Sequence, residues 1–167
     1  MLDMGCGYGG SFSYLVNAVS ASGQVVGVDI SPELCVNARN RIARNQWSNV
    51  EVIQSAAQSV SLSGLFEGLL MFATPDVYAS EEALENIFPH LAGNARVVAF
   101  GAKRAHHGRG KILSSLVRLA ISRLSFSTTP LPDEAPWRLL AKHVERLEVE
   151  ELWGGAMFLA SGSLLPK

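Results

Sequence analysis

Met1-Leu2-Asp3-Met4-Gly5-Cys6-Gly7-Tyr8-Gly9-Gly10 opens the sequence, and Gln24-Val25-Val26-Gly27-Val28-Asp29-Ile30 closes its first thirty residues. Between them Phe12, Leu15, Val16 and Val19 recur at helical spacing, and Gly23 supplies a stop. An apolar strand, a glycine turn, a helix and a second β-branched strand ending on an acid make a β-α-β unit. The turn is stripped of side chains. Its glycines admit positive-φ backbone and let a ligand lie directly on the main chain. The helix that follows points unpaired N–H groups at whatever occupies the turn.

Two ligand classes use this layout. Gly5-x-Gly7-x-x-Gly10 satisfies the dinucleotide pattern, with Asp29 where a ribose-binding acid falls. Asp3 decides against it. A carboxylate two residues before Gly5 would repel a pyrophosphate, whereas it suits a cationic ligand such as an ammonium or a sulfonium. Leu2-Asp3-Met4-Gly5-Cys6-Gly7-Tyr8-Gly9 with Asp29 resembles motif I of the class I S-adenosylmethionine-dependent methyltransferases.

That resemblance implies S-adenosylmethionine as cofactor and a set of cofactor-binding positions. Asp29 would accept both ribose hydroxyls, Ile30 would pack on the adenine, and Asp3 would meet the amino-acid part or a water beside it. Gly5, Cys6, Gly7 and Gly9 form the turn, Cys6 as a small packing residue and not a nucleophile. After the third strand the family often places an acid against the adenine amino group. Here the run is Gln54-Ser55-Ala56-Ala57-Gln58, so Ala56 stands in its place. The lost contact is worth ~1–2 kcal/mol, which backbone N–H groups near Ala57 or the Gln58 side chain would partly recover. Phe72 completes the set. It opens the loop Phe72–Tyr78, where the family meets its acceptor. That loop lacks the Asn/Asp-Pro-Pro-Tyr/Phe pattern of enzymes that methylate nucleic-acid bases. Asp76, Tyr78, His106, His107 and His143 are acceptor-side candidates, and the sequence assigns none of them a catalytic role.

Further along, Ser31 with Pro32 reads as an N-cap and first helical residue, opening a helix to about Arg44 that buries Leu34, Ala38 and Ile42. Strands are expected at Asn49–Gln54, Phe66–Ala73 and Ala95–Gly101, with a helix at Glu81–Leu91 and a turn at Gly93-Asn94. Glu134–Val144 reads as a helix interrupted near its start by Pro136. Glu148–Trp153 and Ala156–Gly162 then read as a hairpin about Gly154-Gly155. The fold class is therefore α/β: a Rossmann-like, doubly wound, mostly parallel sheet in three α/β/α layers, closed by an antiparallel C-terminal hairpin.

The 167 residues, 48% of them hydrophobic, fit a single domain spanning 1–167. A net charge of −1 gives no global case for nucleic-acid binding. Two cysteines without metal spacing point to reduced thiols and no metal. No apolar run reaches the ~18 residues that span a bilayer, and no leader-like stretch opens the sequence. The expected location is the cytoplasm. Residues 103–132 form a basic insert without Asp or Glu, and Lys111–Phe126 has helical amphipathic spacing. It is either a helix packed on its own domain, or a cap over an apolar acceptor or a contact with anionic lipid. Its place resembles the acceptor-shaping inserts of quinone and phospholipid methyltransferases. In the family a helical segment usually precedes the first strand. With only Met1–Met4 before Gly5, this cap is expected to be missing, leaving an edge that invites homo-oligomers.

The reading is therefore methyl transfer to a small, apolar or lipid-like acceptor. Its rivals are a non-catalytic binding module of the same fold and a nicotinamide-dependent oxidoreductase. The first would bind S-adenosylhomocysteine without turnover, and the second would prefer NADH.

Overall fold

Leu2, Asp3 and Met4 are wholly buried because their strand lies at the centre of a sheet with helices on both faces. The computed structural model describes residues 1–20, 22–104 and 135–165. Its elements are β1 (Leu2–Met4), α1 (Phe12–Ala18), β2 (Val25–Asp29), α2 (Pro32–Asn45), β3 (Val50–Gln54), β4 (Phe66–Phe72), α3 (Pro75–Tyr78), α4 (Glu81–Ile87), β5 (Leu91–Ala102), α5 (Leu140–His143), β6 (Glu145–Leu152) and β7 (Met157–Ser163). They build one seven-stranded sheet in the order β3-β2-β1-β4-β5-β7-β6. Strands β1 to β5 run parallel, and β7 pairs antiparallel with both β5 and β6. The expected class and its closing hairpin are both present.

Alternation along each strand divides the core between two layers. On one face Leu2, Met4, Leu69, Met71, Val97 and Ala99 meet Val77, Tyr78 and Leu84 of α3 and α4, with Leu140 of α5 beyond. On the other, Phe12 and Leu15 of α1 and Ala38 of α2 pack with Val25 and Val50. Ser31 caps α2 as expected, its hydroxyl accepting from Leu34 N–H at 3.3 Å, and Pro32 follows. Cys35 and Ala38 are the fully buried residues of that helix, while Leu34 and Ile42 are half-buried.

Four boundaries differ from expectation. The fourth helix ends at Ile87, because Pro89 cannot continue it and Phe88–His90 tightens into a 3-10 turn. Strand β5 begins at Leu91 and runs through the expected Gly93-Asn94 turn. Asn94 there takes φ +66°, and the pairing with β4 shifts register between Phe66 and Gly68. The helix expected over 134–144 shrinks to Leu140–His143, with Pro136 held in the preceding turn. The hairpin connection is a 3-10 turn at Trp153–Gly155, and β6 reaches back to Glu145. The basic insert lies outside the described residues except for Lys103 and Arg104. Lys103 pairs with Glu151 at 2.6 Å. Among the described residues no helix is long and apolar enough to cross a membrane, and no group of three or more His, Cys, Asp or Glu could hold a metal.

Candidate active site

The chain leaves β1 through a turn in which Gly5, Gly7 and Gly9 adopt φ of +74°, +55° and +77°. A side chain is barred at Gly5, where a Cβ would run into the Thr74 methyl, and a Cβ at Gly7 would front open space. Gly5 and Cys6 N–H both donate to Val28 O, at 2.7 and 3.0 Å, which ties the turn to the end of β2. Asp29 completes the tie. Its Oδ2 accepts from Gly7 N–H at 2.8 Å and its Oδ1 from Ser31 N–H at 2.9 Å. Two backbone donors thus orient the carboxylate, and each oxygen keeps a lone pair for a ligand hydroxyl.

Asp3 and Thr74 are the buried polar side chains among the described residues. Burial pushes the Asp3 carboxyl up to about 6, against a hydrogen bond from the Ser11 hydroxyl and with help from the charge of Asp29. Asp76 is raised as well, by partial desolvation and by the same Asp29 charge, although a bond to its own backbone opposes this and the residue stays accessible. Asp3 and Asp29 thus flank the glycine turn with negative potential, and Asp76 lies near enough to feel the Asp29 charge. Burial, reinforced by Asp3 and Asp29, pushes the Cys6 thiol far up, so it stays protonated and packs as a small apolar group.

The other expected residues divide. Ile30 and Phe72 stand at the rim, 66% and 56% exposed. Ala57 is buried and Ala56 half-buried beyond β3. Gln58 is engaged elsewhere: its amide donates to the Ser80 hydroxyl at 3.4 Å. Among the acceptor-side candidates, Asp76 is beside the site. Tyr78 is 1% exposed and packs edge-on against Phe158 in the core. His143 lies tilted against Phe88, ring centroids 4.6 Å apart, at the strands' opposite end. His106 and His107 lie outside the described residues. Sequence reasoning passed over Ser11, the Ser31 amide and Thr74. The available signal was positional, since Ser11, Ser31 and Thr74 each precede a helix.

Residues 1–96 match the model of a family described as a methyltransferase domain. The chain belongs to that family. No curated protein matched the sequence significantly. Solved structures similar to this methyltransferase are recognised by fold. The N-methyltransferase NodS from Bradyrhizobium japonicum, in complex with S-adenosylhomocysteine, aligns over 98% of this chain and 76% of its own, at TM-score 0.71 and 16% identity. An S-adenosylmethionine-dependent methyltransferase from Methanosarcina mazei aligns over 99% and 92%, at 0.69 and 19%. A third, from Aquifex aeolicus, aligns over 98% and 81%, at 0.65 and 19%.

The site of this methyltransferase fits S-adenosylmethionine. The turn presents bare backbone at Gly7, the carboxylates suit a sulfonium and an ammonium, and Ile30 offers an apolar face beside Asp29.

Proposed function

We propose that the chain transfers a methyl group from S-adenosylmethionine to a small apolar acceptor. The observation that carries the cofactor half is Asp29, pre-oriented by Gly7 and Ser31 N–H at the mouth of a side-chain-free turn. Asp29 holds the ribose hydroxyls, Ile30 and the Ala56–Ala57 backbone border the adenine, and Asp3 with Gly5, Cys6, Gly7 and Gly9 receives the amino-acid end. When bound, the cofactor supplies an electrophilic methyl on a positively charged sulfur.

The protein's own work is then placement, exclusion of water and, for an acceptor that must ionise, removal of a proton. Among the described acceptor-side candidates, Asp76 is the accessible group for that proton. Its raised carboxyl, beside the Asp29 charge, is a better base than an ordinary aspartate. Exposed Phe72 supports the apolar acceptor, because it borders the cofactor region with a large uncovered ring. The basic insert at 103–132 supports it by its amphipathic sequence, which also suits peripheral contact with anionic lipid.

The deciding experiment is calorimetric titration with S-adenosylhomocysteine. Asp29→Ala is expected to weaken binding by about 1.5–3 kcal/mol, the range for hydrogen bonds to a charged group, while the fold is retained. Equal affinity in both proteins removes the assignment.

A further inference from the structure

Phe72 is the last residue of β4, and its ring stacks on that of Phe100 in β5, with centroids 4.8 Å apart and planes 18° from parallel. The two residues are register partners across the parallel pair, so the stack is built into the sheet. Asp3 pairs with Leu70, and residues two apart share a sheet face. Phe72 and Phe100 therefore lie on the Asp3 face of the sheet, at the end of β4 nearest the glycine turn. The next partner of Phe100 is Leu159 of β7, half-buried, which extends the apolar row away from the site.

The backbone fixes the outer ring in place. Ala73 follows with φ +59°, a left-handed conformation that L residues rarely adopt, and its N–H donates to Phe100 O at 2.7 Å. That bond completes the ladder at Phe72, and the left-handed Ala73 then turns the chain out of the sheet. Pro75 then sets the next helix running. Phe72 is thus a rigid ring, backed on one face by Phe100 and 56% exposed.

We infer that Phe72, backed by Phe100, selects acceptors bearing a flat aromatic ring. The inference rests on the proposed methyl-transfer reading and narrows its acceptor from apolar to planar. Two aromatic rings already aligned present a flat quadrupolar face. A planar acceptor stacks on it by offset contact, whereas a puckered ring of equal size touches at fewer atoms. Phe72 acts here as a specificity residue.

The test uses 2-naphthol and its saturated counterpart decahydro-2-naphthol, which share a carbon skeleton and differ in planarity. Each is titrated into the whole protein with saturating S-adenosylhomocysteine. The expected result is a preference of about threefold to tenfold for 2-naphthol, matching the increment of an aromatic pair over plain apolar contact. Phe72→Leu should erase that preference and Phe72→Trp should keep it. Equal affinities, no binding of either alcohol, or a preference that survives in Phe72→Leu overturns the inference. So does a dimer in sedimentation that Phe72→Leu dissolves, since a second copy would then cover the ring. Binding of S-adenosylhomocysteine that depends on Asp29, found without any planar preference, rejects this inference and leaves the broader reading standing.

Discussion

Replacing Asp3 with asparagine should make the free protein more stable at neutral pH and worse at binding its cofactor. Asp3 is 1% exposed, and its carboxyl rises from 3.8 to about 6 in the folded protein, chiefly through desolvation. A carboxyl raised on folding binds its proton more tightly in the native state than in the unfolded one. Its contribution to stability is therefore most favourable below pH 4 and declines as pH rises through 6. A rise of about two units corresponds to about 3 kcal/mol at pH 7 and above, at 1.36 kcal/mol per unit. Asparagine has the same shape, can still accept the Ser11 hydroxyl, and does not ionise. The stability difference between Asp3→Asn and wild type should grow in favour of the variant by about 3 kcal/mol between pH 4 and pH 8. Urea unfolding at several pH values, with m-values compared, measures it. Any constant offset from burying an amide drops out, because the reading is the change with pH. S-adenosylhomocysteine titrated at pH 8 should bind the variant more weakly, since the site proposed for its amino-acid end then loses a negative charge. A difference that stays flat from pH 4 to pH 8 would show that Asp3 is not a desolvated carboxylate in the folded protein, and the argument fails.

Two other substitutions probe the same region. Thr74→Val should leave stability unchanged or raise it by about 1 kcal/mol, because the Thr74 hydroxyl is buried without a partner and valine keeps the methyl that lies on Gly5; loss of stability in thermal unfolding would mean that the hydroxyl is bonded. Phe12→Ala should lower stability by about 3–5 kcal/mol in urea, since Phe12 is fully buried, packs edge-on against Trp47 and fills the space beneath Gly9 and Gly27. A cost near zero would place the support of the turn elsewhere.

What the sequence disclosed follows from how local each determinant is. The glycine turn, the Ser31-Pro32 cap and the closing hairpin are written in adjacent residues, and each appears where its residues stand. The helix expected over 134–144 is only partly formed, for a reason that periodicity conceals: Ala141 N–H still reaches Trp137 O, but Arg138 and Lys142 N–H bond only three residues back, to Ala135 O and Leu139 O, so the stretch tightens into turns. Strand β5 was misjudged at Gly93-Asn94 because a bulge and a turn use the same residues, and only pairing with β4 separates them. In the site, Asp3 and Asp29 were legible from their strand ends. Thr74 was not, because its burial depends on a glycine from the far end of the chain. The uncommitted state of its hydroxyl needs helix α3 as well: Pro75 has no N–H, Asp76 bonds its own amide, and Val77 N–H goes to Thr74 O at 3.0 Å. The Phe72–Phe100 stack joins two strands across the sheet, so no window of sequence contains it.

The reversed direction of β7 has an optical consequence. Because Met157 pairs with Ala102, the Trp153–Gly155 turn is carried to the sheet end that bears the glycine turn and Phe72. Trp153 is 64% exposed there, whereas Trp47 packs against Phe12 and Trp137 against Phe158. The protein thus carries a solvated fluorophore at the sheet end of the glycine turn, and two half-buried ones whose emission reports on the packing around them. Events at that end of the sheet and unfolding of the core can therefore be followed as separate signals in one cuvette, without a label.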